Sequence, residues 1–164
     1  MQPEENLENL KQKIKVADHP RELAVEVMFT LQKHYGYLTD AALVEGAELL
    51  GMTPLELEEL ATFYDFIYRK PVGKYVIHVC DSTICWMLGH QSVLDYIGQK
   101  LNISPGETTE DGLFSLLPVC CIGYCDHAPA MLINGKLYGP LTPQAIDSIL
   151  EEIKAAYPIP QEGR

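Results

Sequence analysis

All five cysteines of the 164-residue chain lie in two short segments, "CDSTIC" at residues 80–85 and "CCIGYC" at residues 120–125. A chain of about 150 residues can bury roughly 70% of its unfolded surface without crosslinks. The cysteines are therefore not needed merely to hold a small core together. Their concentration predicts a shared site, and the fold must bring together two segments that are 35 residues apart.

Composition and charge restrict the kinds of site. The N-terminal segment "MQPEENLENLKQKIKV" lacks the basic-then-apolar layout of a secretory signal, so we expect an intracellular protein with reduced thiols, which disfavours structural disulfides. The apolar runs are far shorter than the roughly 20 residues of a bilayer span, and no membrane span is predicted. A net charge of −11 argues against nucleic-acid binding and favours neutral or basic protein partners.

Helical periodicity dominates the first 70 residues. Apolar side chains recur three or four positions apart in "PRELAVEVMFTLQKHYGYL", "TDAALVEGAELLGM" and "TPLELEELATFYDFIY". Thr39 and Thr53 are predicted N-caps, and Glu56 completes a capping box with Thr53. Gly36 and Gly51 are predicted helix ends. We predict a small helical bundle over residues 1–70.

An aromatic segment closes this predicted domain. It contains Phe63, Tyr64, Phe66 and Tyr68, directly before the expected domain boundary. Such a row could dock a partner, but aromatic side chains at a domain junction more often form core. We interpret the segment as core.

The pattern changes to strands and helices over residues 71–164. "KYVIHVC" predicts a buried strand ending on Cys80, and "LFSLLPV" predicts a second strand. "GHQSVLDYIGQKL" has helical spacing, Asn134-Gly135 indicates a tight hairpin, and Thr142 caps a final helix. This order predicts an α/β domain, a small mixed sheet with helices against it in a thioredoxin-like arrangement.

Both cysteine segments follow predicted strands, which suits a metal site on a rigid sheet. The spacings within the pairs allow two sulfurs to reach one metal, whose bonds to sulfur are about 2.3 Å long. Gly123 can adopt backbone angles that let the chain approach a bound group closely. A thioredoxin-type redox pair would need Cys-x-x-Cys, which is absent. Structural zinc and a [2Fe-2S] cluster both remain open on spacing alone.

Longer motifs carry a resemblance to a known family. "LEELATFYDFIYRKPVGKYVIHVCDSTICWMLGH" and "LNISPGETTEDGLFSLLPVCCIGYCDHAPAMLIN" resemble the E subunit of bacterial NADH-quinone oxidoreductase (respiratory complex I), a thioredoxin-like [2Fe-2S] ferredoxin family. The likeness runs from about residue 18 to residue 155. It implies an N-terminal helical domain (1–70), a thioredoxin-like ferredoxin domain (71–164) and one [2Fe-2S] cluster. Matched by motif, the cluster ligands would be Cys80, Cys85, Cys121 and Cys125.

The resemblance also implies a function. The chain would be an electron-transfer subunit that exchanges single electrons with the flavin of a partner, the NADH-oxidising subunit. FMN and NADH would bind to that partner, because this chain has no Gly-rich dinucleotide fingerprint and no P-loop. A larger iron-sulfur subunit would be a second partner, in the cytoplasmic peripheral arm of a membrane complex. No catalytic residue is implied, and the isolated chain is expected to be inactive.

Two alternatives remain beside this interpretation. The same module occurs in NAD-linked hydrogenases and formate dehydrogenases, so the chain could be the equivalent subunit of one of those enzymes. A structural four-cysteine zinc module with no redox role is the alternative from a different functional class.

Cys120 adjoins one of the implied ligands. The family motif begins its "Cys-x-Gly-x-Cys" at Cys121, and adjacent strand residues point to opposite faces. Cys120 is therefore predicted to be a small buried hydrophobe. We expect backbone N–H groups near Asp81, Thr83 and Gly123 to face the cluster.

Polar residues near the cysteines receive simpler interpretations. Asp81 and Asp126 are predicted to be solvated loop acids. His78 is expected to be packed or paired within its strand, and His90 and His127 are expected on the surface. Four suitable thiolates leave no vacancy for a histidine ligand.

Overall fold

The structure is a computed structural model that describes residues 3–157, with side chains described from Leu7 onward. The chain divides into two compact units between Val72 and Gly73. Within the described residues, the first unit is helical and the second combines a four-stranded sheet with helices. Nowhere in residues 3–157 is a helix both long enough and apolar enough to cross a bilayer.

Within the described residues, helices form the framework of the first unit. They are α1 (Pro3–Val16), α2 (Ala24–Tyr35), α3 (Asp40–Leu50) and α4 (Pro54–Phe63). The predicted start of α2 at Pro20 is a short 3-10 turn, Pro20–Leu23, before the α-helix begins. Helix α1 was not predicted, although Leu10 and Ile14 lie four positions apart and are both buried.

The predicted helix ends in the first unit are confirmed. The Thr39 hydroxyl accepts a hydrogen bond from the Ala42 N–H at 3.0 Å. Gly51 ends α3 in the left-handed region, with φ of +62°. Thr53 and Glu56 form the complete capping box, in which the Glu56 carboxylate accepts from the Thr53 N–H at 2.7 Å. These polar contacts satisfy backbone groups that the helix itself leaves unpaired.

The aromatic segment after α4 was interpreted as core, and this is wrong for two of its members. Phe63 is 78% exposed and Tyr64 is also exposed. Helix α4 ends at Phe63, so its last side chain points away from the apolar stripe that contains the buried Leu57 and Ala61. Tyr68 is partly buried, and this burial raises its pKa to about 12.

The second unit follows the predicted order of strands and helices. Its elements are β1 (Tyr75–Cys80), α5 (Thr83–Met87), α6 (His90–Leu101), β2 (Phe114–Val119), β3 (Met131–Ile133), β4 (Lys136–Tyr138) and α7 (Pro143–Ala156). The helix α5 was not predicted. With only five residues, it is too short for its periodicity to be detected in the sequence.

The sheet has the strand order β2-β1-β3-β4. β1 pairs with β2 in parallel and with β3 in antiparallel orientation, and β3 and β4 form the predicted hairpin around Asn134-Gly135. β1 is buried along nearly its whole length, as its continuous apolar run predicted. Helix α6 packs against β1, β2 and α7.

A continuous apolar core supports this sheet. It is formed by inward-facing residues of the strands and by one face each of α6 and α7. The buried members are Ile77, Val79, Val93, Leu94, Ile97, Leu101, Leu113, Phe114, Leu116, Met131, Ile133, Leu141, Ile146, Leu150 and Ile153. Such a core holds the strand ends, and the loops that follow them, in fixed positions.

Candidate metal centre

The two cysteine segments leave the same edge of the sheet. β1 ends on Cys80, and the parallel register pairs Cys80 with Val119, the last residue of β2. Cys85 lies on α5, directly after β1, and Cys121 follows β2 within two residues of its end. Since parallel strands end at the same edge, the fold brings together segments that are distant in sequence.

One half of the site is buried and the other half is open. Cys80 and Cys85 are each only 2% exposed and form a small apolar cluster with Ala130. Cys121 and Cys125 are exposed. The site therefore has a protein-covered side and a side that faces outward.

The spacing of the outer pair fits a shared metal. The Sγ atoms of Cys121 and Cys125 are 3.6 Å apart. Two sulfurs bound tetrahedrally to one metal, at bond lengths of about 2.3 Å, would lie about 3.7 Å apart. The sulfurs are thus already positioned as two ligands of one ion.

Interactions among the four sulfurs shift the pKa values of three of the cysteines. Burial, followed by a hydrogen bond with Cys80, raises the pKa of Cys85 to about 11. The hydrogen bond that Cys125 shares with Cys121 raises the pKa of Cys125, and the nearby Cys80 adds to this effect. Thiols coupled in this way need a positive ion to become thiolates together, and metal binding would displace their protons.

Backbone N–H groups supply donors to two sulfurs. The Gly123 N–H is the main cause of the lowered pKa of Cys121, to which the Ser82 side chain also contributes. The Ala130 N–H donates to Cys85 and lowers its pKa against the opposing effect of burial. Gly123 was predicted as a donor, and its φ of +76° explains why glycine is required there.

One expected donor differs from the structure, and one donor was not expected. The Asp81 N–H donates to the Val119 carbonyl at 2.9 Å, extending the strand pairing instead of reaching a sulfur. Ala130 was not predicted, because only the pairing of β1 with β3 brings this distant residue beside Cys85.

Cys120 is exposed, so its predicted burial is wrong. Strand β2 ends at the buried Val119, and Cys120 is the next residue along the chain. The side chain therefore lies on the side opposite the core, as the alternation of strand residues requires.

The acids and histidines near the site follow the expectations in part. Asp81 and Asp126 are exposed, as predicted, and His78 is buried in β1. His90 was expected on the surface but is buried, because it begins α6 and faces inward. His127 is half-buried; its ring stacks on Tyr124, with centroids 4.3 Å apart. Its hydrogen bond lowers the pKa of Asp126.

The described residues contain no set of three or more His, Cys, Asp or Glu side chains that could hold a single metal ion as they stand. A [2Fe-2S] cluster is bound differently, by two thiolates on each of two irons. The close pair Cys121 and Cys125, together with the coupled pair Cys80 and Cys85, fits that division.

Similarity to known proteins identifies a family. The sequence profile of the thioredoxin-like [2Fe-2S] ferredoxins matches residues 10–154. The chain is 43% identical to the NADH-quinone oxidoreductase E subunit of Escherichia coli K12 over 137 residues, which cover 84% of this chain and 82% of that protein. It is 42% identical to the corresponding E subunit of Pseudomonas aeruginosa PAO1 over 134 residues, 82% of this chain and 81% of that protein.

A solved structure gives a further likeness. The chain is similar to part of an NAD+-reducing [NiFe]-hydrogenase crystallised in its air-oxidized state, with a TM-score of 0.67 and 29% sequence identity. The match covers 84% of this chain but only 24% of the hydrogenase chain.

Proposed function

The chain belongs to the thioredoxin-like [2Fe-2S] ferredoxin family, and on this premise we propose that it is the electron-transfer subunit of an NADH-quinone oxidoreductase. Relatives that share 42–43% of its residues over most of its length are the E subunits of that complex. The convergence of four cysteines at one edge of the sheet is the observation that carries the proposal.

We assign the cluster to Cys80, Cys85, Cys121 and Cys125. The family's cofactor is an iron-sulfur cluster, and this assignment gives it four thiolate ligands. The Sγ atoms of Cys121 and Cys125 are 3.6 Å apart, and Cys80 contributes to the raised pKa values of Cys85 and Cys125. Cys120 is left outside the ligand set.

When bound, such a cluster stores and releases one electron at a time. The chain's own residues control its surroundings. Cys80 and Cys85 lie in an apolar, water-excluding pocket. The N–H groups of Gly123 and Ala130 stabilise negative charge on sulfur and thereby raise the reduction potential. The exposed side at Cys121 and Cys125 leaves a path for electrons.

The partners follow from this role. FMN and NADH bind to a flavin-bearing, NADH-oxidising subunit, and a larger iron-sulfur subunit continues the electron path. The chain itself is non-catalytic and lies in the cytoplasmic peripheral arm of the membrane complex. Residues 1–70 form its helical domain and residues 71–164 its cluster domain.

The equivalent subunit of an NAD-linked hydrogenase is the second candidate, because a hydrogenase chain shares the fold. Sequence identity is higher to the quinone oxidoreductase subunits, 43% against 29%, and favours the first candidate. Membership of a [2Fe-2S] family does not favour the structural zinc alternative.

Anaerobic purification followed by iron, sulfide and zinc analysis tests the proposal. We expect two irons and two sulfides per chain, and a rhombic spin-one-half signal in electron paramagnetic resonance after dithionite reduction. One zinc per chain without such a signal would show that the chain is a structural metal module.

A further inference from the structure

Ser82 begins a helix without capping it through its side chain. It is the N-cap residue of α5 (Thr83–Met87), and its carbonyl accepts a hydrogen bond from the Trp86 N–H at 2.8 Å. The hydroxyl of a serine at an N-cap ordinarily accepts a hydrogen bond from the second or third N–H of the helix. The Ser82 side chain makes no such bond. Its hydroxyl is therefore available for another contact.

The other described helices that begin with a hydroxyl-bearing N-cap differ from α5. Thr39, Thr53 and Thr142 each accept a hydrogen bond from the third N–H of their helix, at 3.0, 3.2 and 3.2 Å. The backbone of Ser82 does not prevent the same bond, because its φ and ψ are −75° and 164°, against −68° and 165° at Thr39. The difference lies in the direction of the side chain. Since losing a cap costs stability, another contact must hold the Ser82 hydroxyl.

That contact is with the sulfur of Cys121. The Ser82 hydroxyl hydrogen-bonds to this sulfur and lowers the pKa of Cys121, after the larger effects of the Gly123 N–H and the Cys125 thiol. A lowered pKa is expected when the sulfur accepts the hydrogen bond, because donation stabilises the thiolate. The Cys121 sulfur therefore has one donor in its own cysteine segment and a second donor in the segment that follows β1.

Strand pairing brings Ser82 within reach of Cys121. Cys80 and Val119, the last residues of β1 and β2, are partners in the parallel register. The Asp81 N–H then donates to the Val119 carbonyl at 2.9 Å, so the two chains stay side by side beyond the strand ends. Ser82 and Cys121 each lie two residues after these paired positions. The contact thus depends on the register of the sheet, which the packed core holds in place.

We propose that Ser82 is a positioning residue for the cluster, whose hydroxyl ties the loop after β1 to the loop after β2 and raises the reduction potential. This inference rests on the proposed function, in which Cys121 is a cluster ligand. One-electron reduction adds negative charge that the ligand sulfurs share, so a donor to sulfur stabilises the reduced state more than the oxidised state. Because Cys121 is exposed, water can replace part of a lost donor, and the effect of one hydroxyl should be modest.

Two variants of nearly equal shape isolate the hydroxyl. Ser82→Thr keeps the O–H donor, whereas Ser82→Val has a methyl group in its place, and both side chains are β-branched. Redox titration of the cluster-loaded full chain, followed by electron paramagnetic resonance, measures the potential. Ser82→Thr should keep the wild-type value. Ser82→Val should disfavour reduction about 3-fold or more, which is about 28 mV at 59 mV per tenfold for one electron.

Thr142→Val is the matched control. It removes a hydroxyl that does cap a helix of the same unit, α7, and replaces it with a methyl group. It should lower the Tm and leave the potential unchanged. An equal fall in potential in Thr142→Val would overturn the inference, because general destabilisation would then explain the shift. Iron and sulfide content should match the wild type in every variant; if Ser82→Val loses its cluster, Ser82→Ala is compared with Ser82→Thr instead.

The remaining outcomes distinguish the inference from the proposed function. Equal potentials in Ser82→Thr and Ser82→Val would overturn the role of the hydroxyl and leave the proposed function standing. The expected difference in potential, in a chain whose cluster the flavin-bearing subunit does not reduce, would support the inference and overturn the proposed function. A wild-type chain that binds zinc and shows no [2Fe-2S] signal would overturn both.

Discussion

Two neighbouring cysteines, Cys120 and Cys121, have different expected effects on the cluster. The Cys121 Sγ lies 3.6 Å from that of Cys125 and accepts a hydrogen bond from Gly123, whereas our proposed ligand set leaves Cys120 out. We predict that Cys121→Ala loses most of its iron and sulfide and that Cys120→Ala retains both. Chemical analysis and visible absorption of the two variants measure this. The reverse pattern would show that the ligands are wrongly assigned.

Gly123 should set the reduction potential through its N–H group. Its φ of +76° would strain an alanine by about 1 kcal/mol or more, although the space for a Cβ is open. We predict that Gly123→Ala displaces the N–H from Cys121 and lowers the potential of the cluster. A redox titration followed by electron paramagnetic resonance measures the shift.

Gly106→Ala is the matched control for this change. Gly106 has a φ of +92° and equally open space, but it precedes β2, where its N–H donates to Leu116. It should reduce stability without altering the potential. Equal potentials in the two variants would contradict a role for the Gly123 N–H.

Gly123 and Ala130 differ in whether the sequence alone could predict their hydrogen bonds to sulfur. Gly123 was predicted as a donor because it lies inside a cysteine motif. Ala130 was not, because its contact with Cys85 depends on strand pairing across the fold. The burial of Cys120 was predicted wrongly although the predicted strand "LFSLLPV" ends at Val119, as β2 does. Alternation was used only to separate Cys120 from Cys121, whereas the buried Val119 beside it puts Cys120 on the exposed side.

At the level of elements, the turn after β4 should hold in position the loop between β2 and β3, which carries Cys121 and Cys125. A Cβ at Gly139 would overlap the carbonyl oxygen of His127, within the 3-10 turn Cys125–His127. Because the overlap is with backbone, the turn must move. We predict that Gly139→Ala costs about 1–3 kcal/mol in unfolding free energy and speeds the loss of iron to a chelator.

The control for this prediction lies in the neighbouring hairpin. Gly135 has a φ of +88° and open space where a Cβ would lie, so Gly135→Ala strains the backbone without pushing on the ligand loop. It should lower stability in urea unfolding but leave the rate of iron loss unchanged. Equal rates of loss in both variants would argue that Gly139 has no special connection to the cluster loop.

The capping box of α4 should make the stability of the helical unit depend on pH. Hydrogen bonds from the Thr53 N–H and hydroxyl lower the pKa of Glu56 below its ordinary value of 4.5, and Arg21 adds to the effect. A carboxyl group whose pKa is lower in the folded state than in the unfolded state stabilises the protein at pH values above its unfolded-state pKa. That stabilisation disappears as the pH falls through the folded-state pKa of Glu56.

We therefore predict that Glu56→Gln is less stable than the wild type at pH 7 and that the difference shrinks below about pH 4.5, the ordinary pKa of the side chain. Urea unfolding followed by circular dichroism at several pH values measures it. Leu55→Gln is an exposed change in the same helical turn that introduces no ionisable group. Its stability difference from the wild type should not vary with pH, and a constant difference for Glu56→Gln would contradict the prediction.

The elements differ in how far their sequences specify them. Long periodic helices and capped ends such as Thr53 and Gly51 were predicted correctly, because local side-chain chemistry determines them. Helix α5 and the exposed Phe63 were not. A five-residue helix has too little periodicity, and the exposure of a residue at a helix end depends on what packs against it in the folded chain.

For the whole molecule, spacing and resemblance gave different amounts of information. The spacing of the cysteines predicted a metal site but left zinc and a [2Fe-2S] cluster open. The longer motifs predicted the family, and the match over residues 10–154 confirms it. A cluster leaves no sequence signal beyond its ligands and the backbone around them, so family resemblance was needed to identify the metal.

The chain should be unable to oxidise NADH by itself. Its sequence has no Gly-rich dinucleotide fingerprint, and the proposed function assigns NADH and flavin to a partner. We predict no NADH oxidation with ferricyanide as acceptor by the cluster-loaded chain, and NADH-dependent reduction of its cluster after the flavin-bearing subunit is added. Dithionite reduction of the chain alone is the control for a redox-active cluster. Turnover by the isolated chain would reveal a nucleotide site on this protein and would refute the assignment of NADH oxidation to its partner.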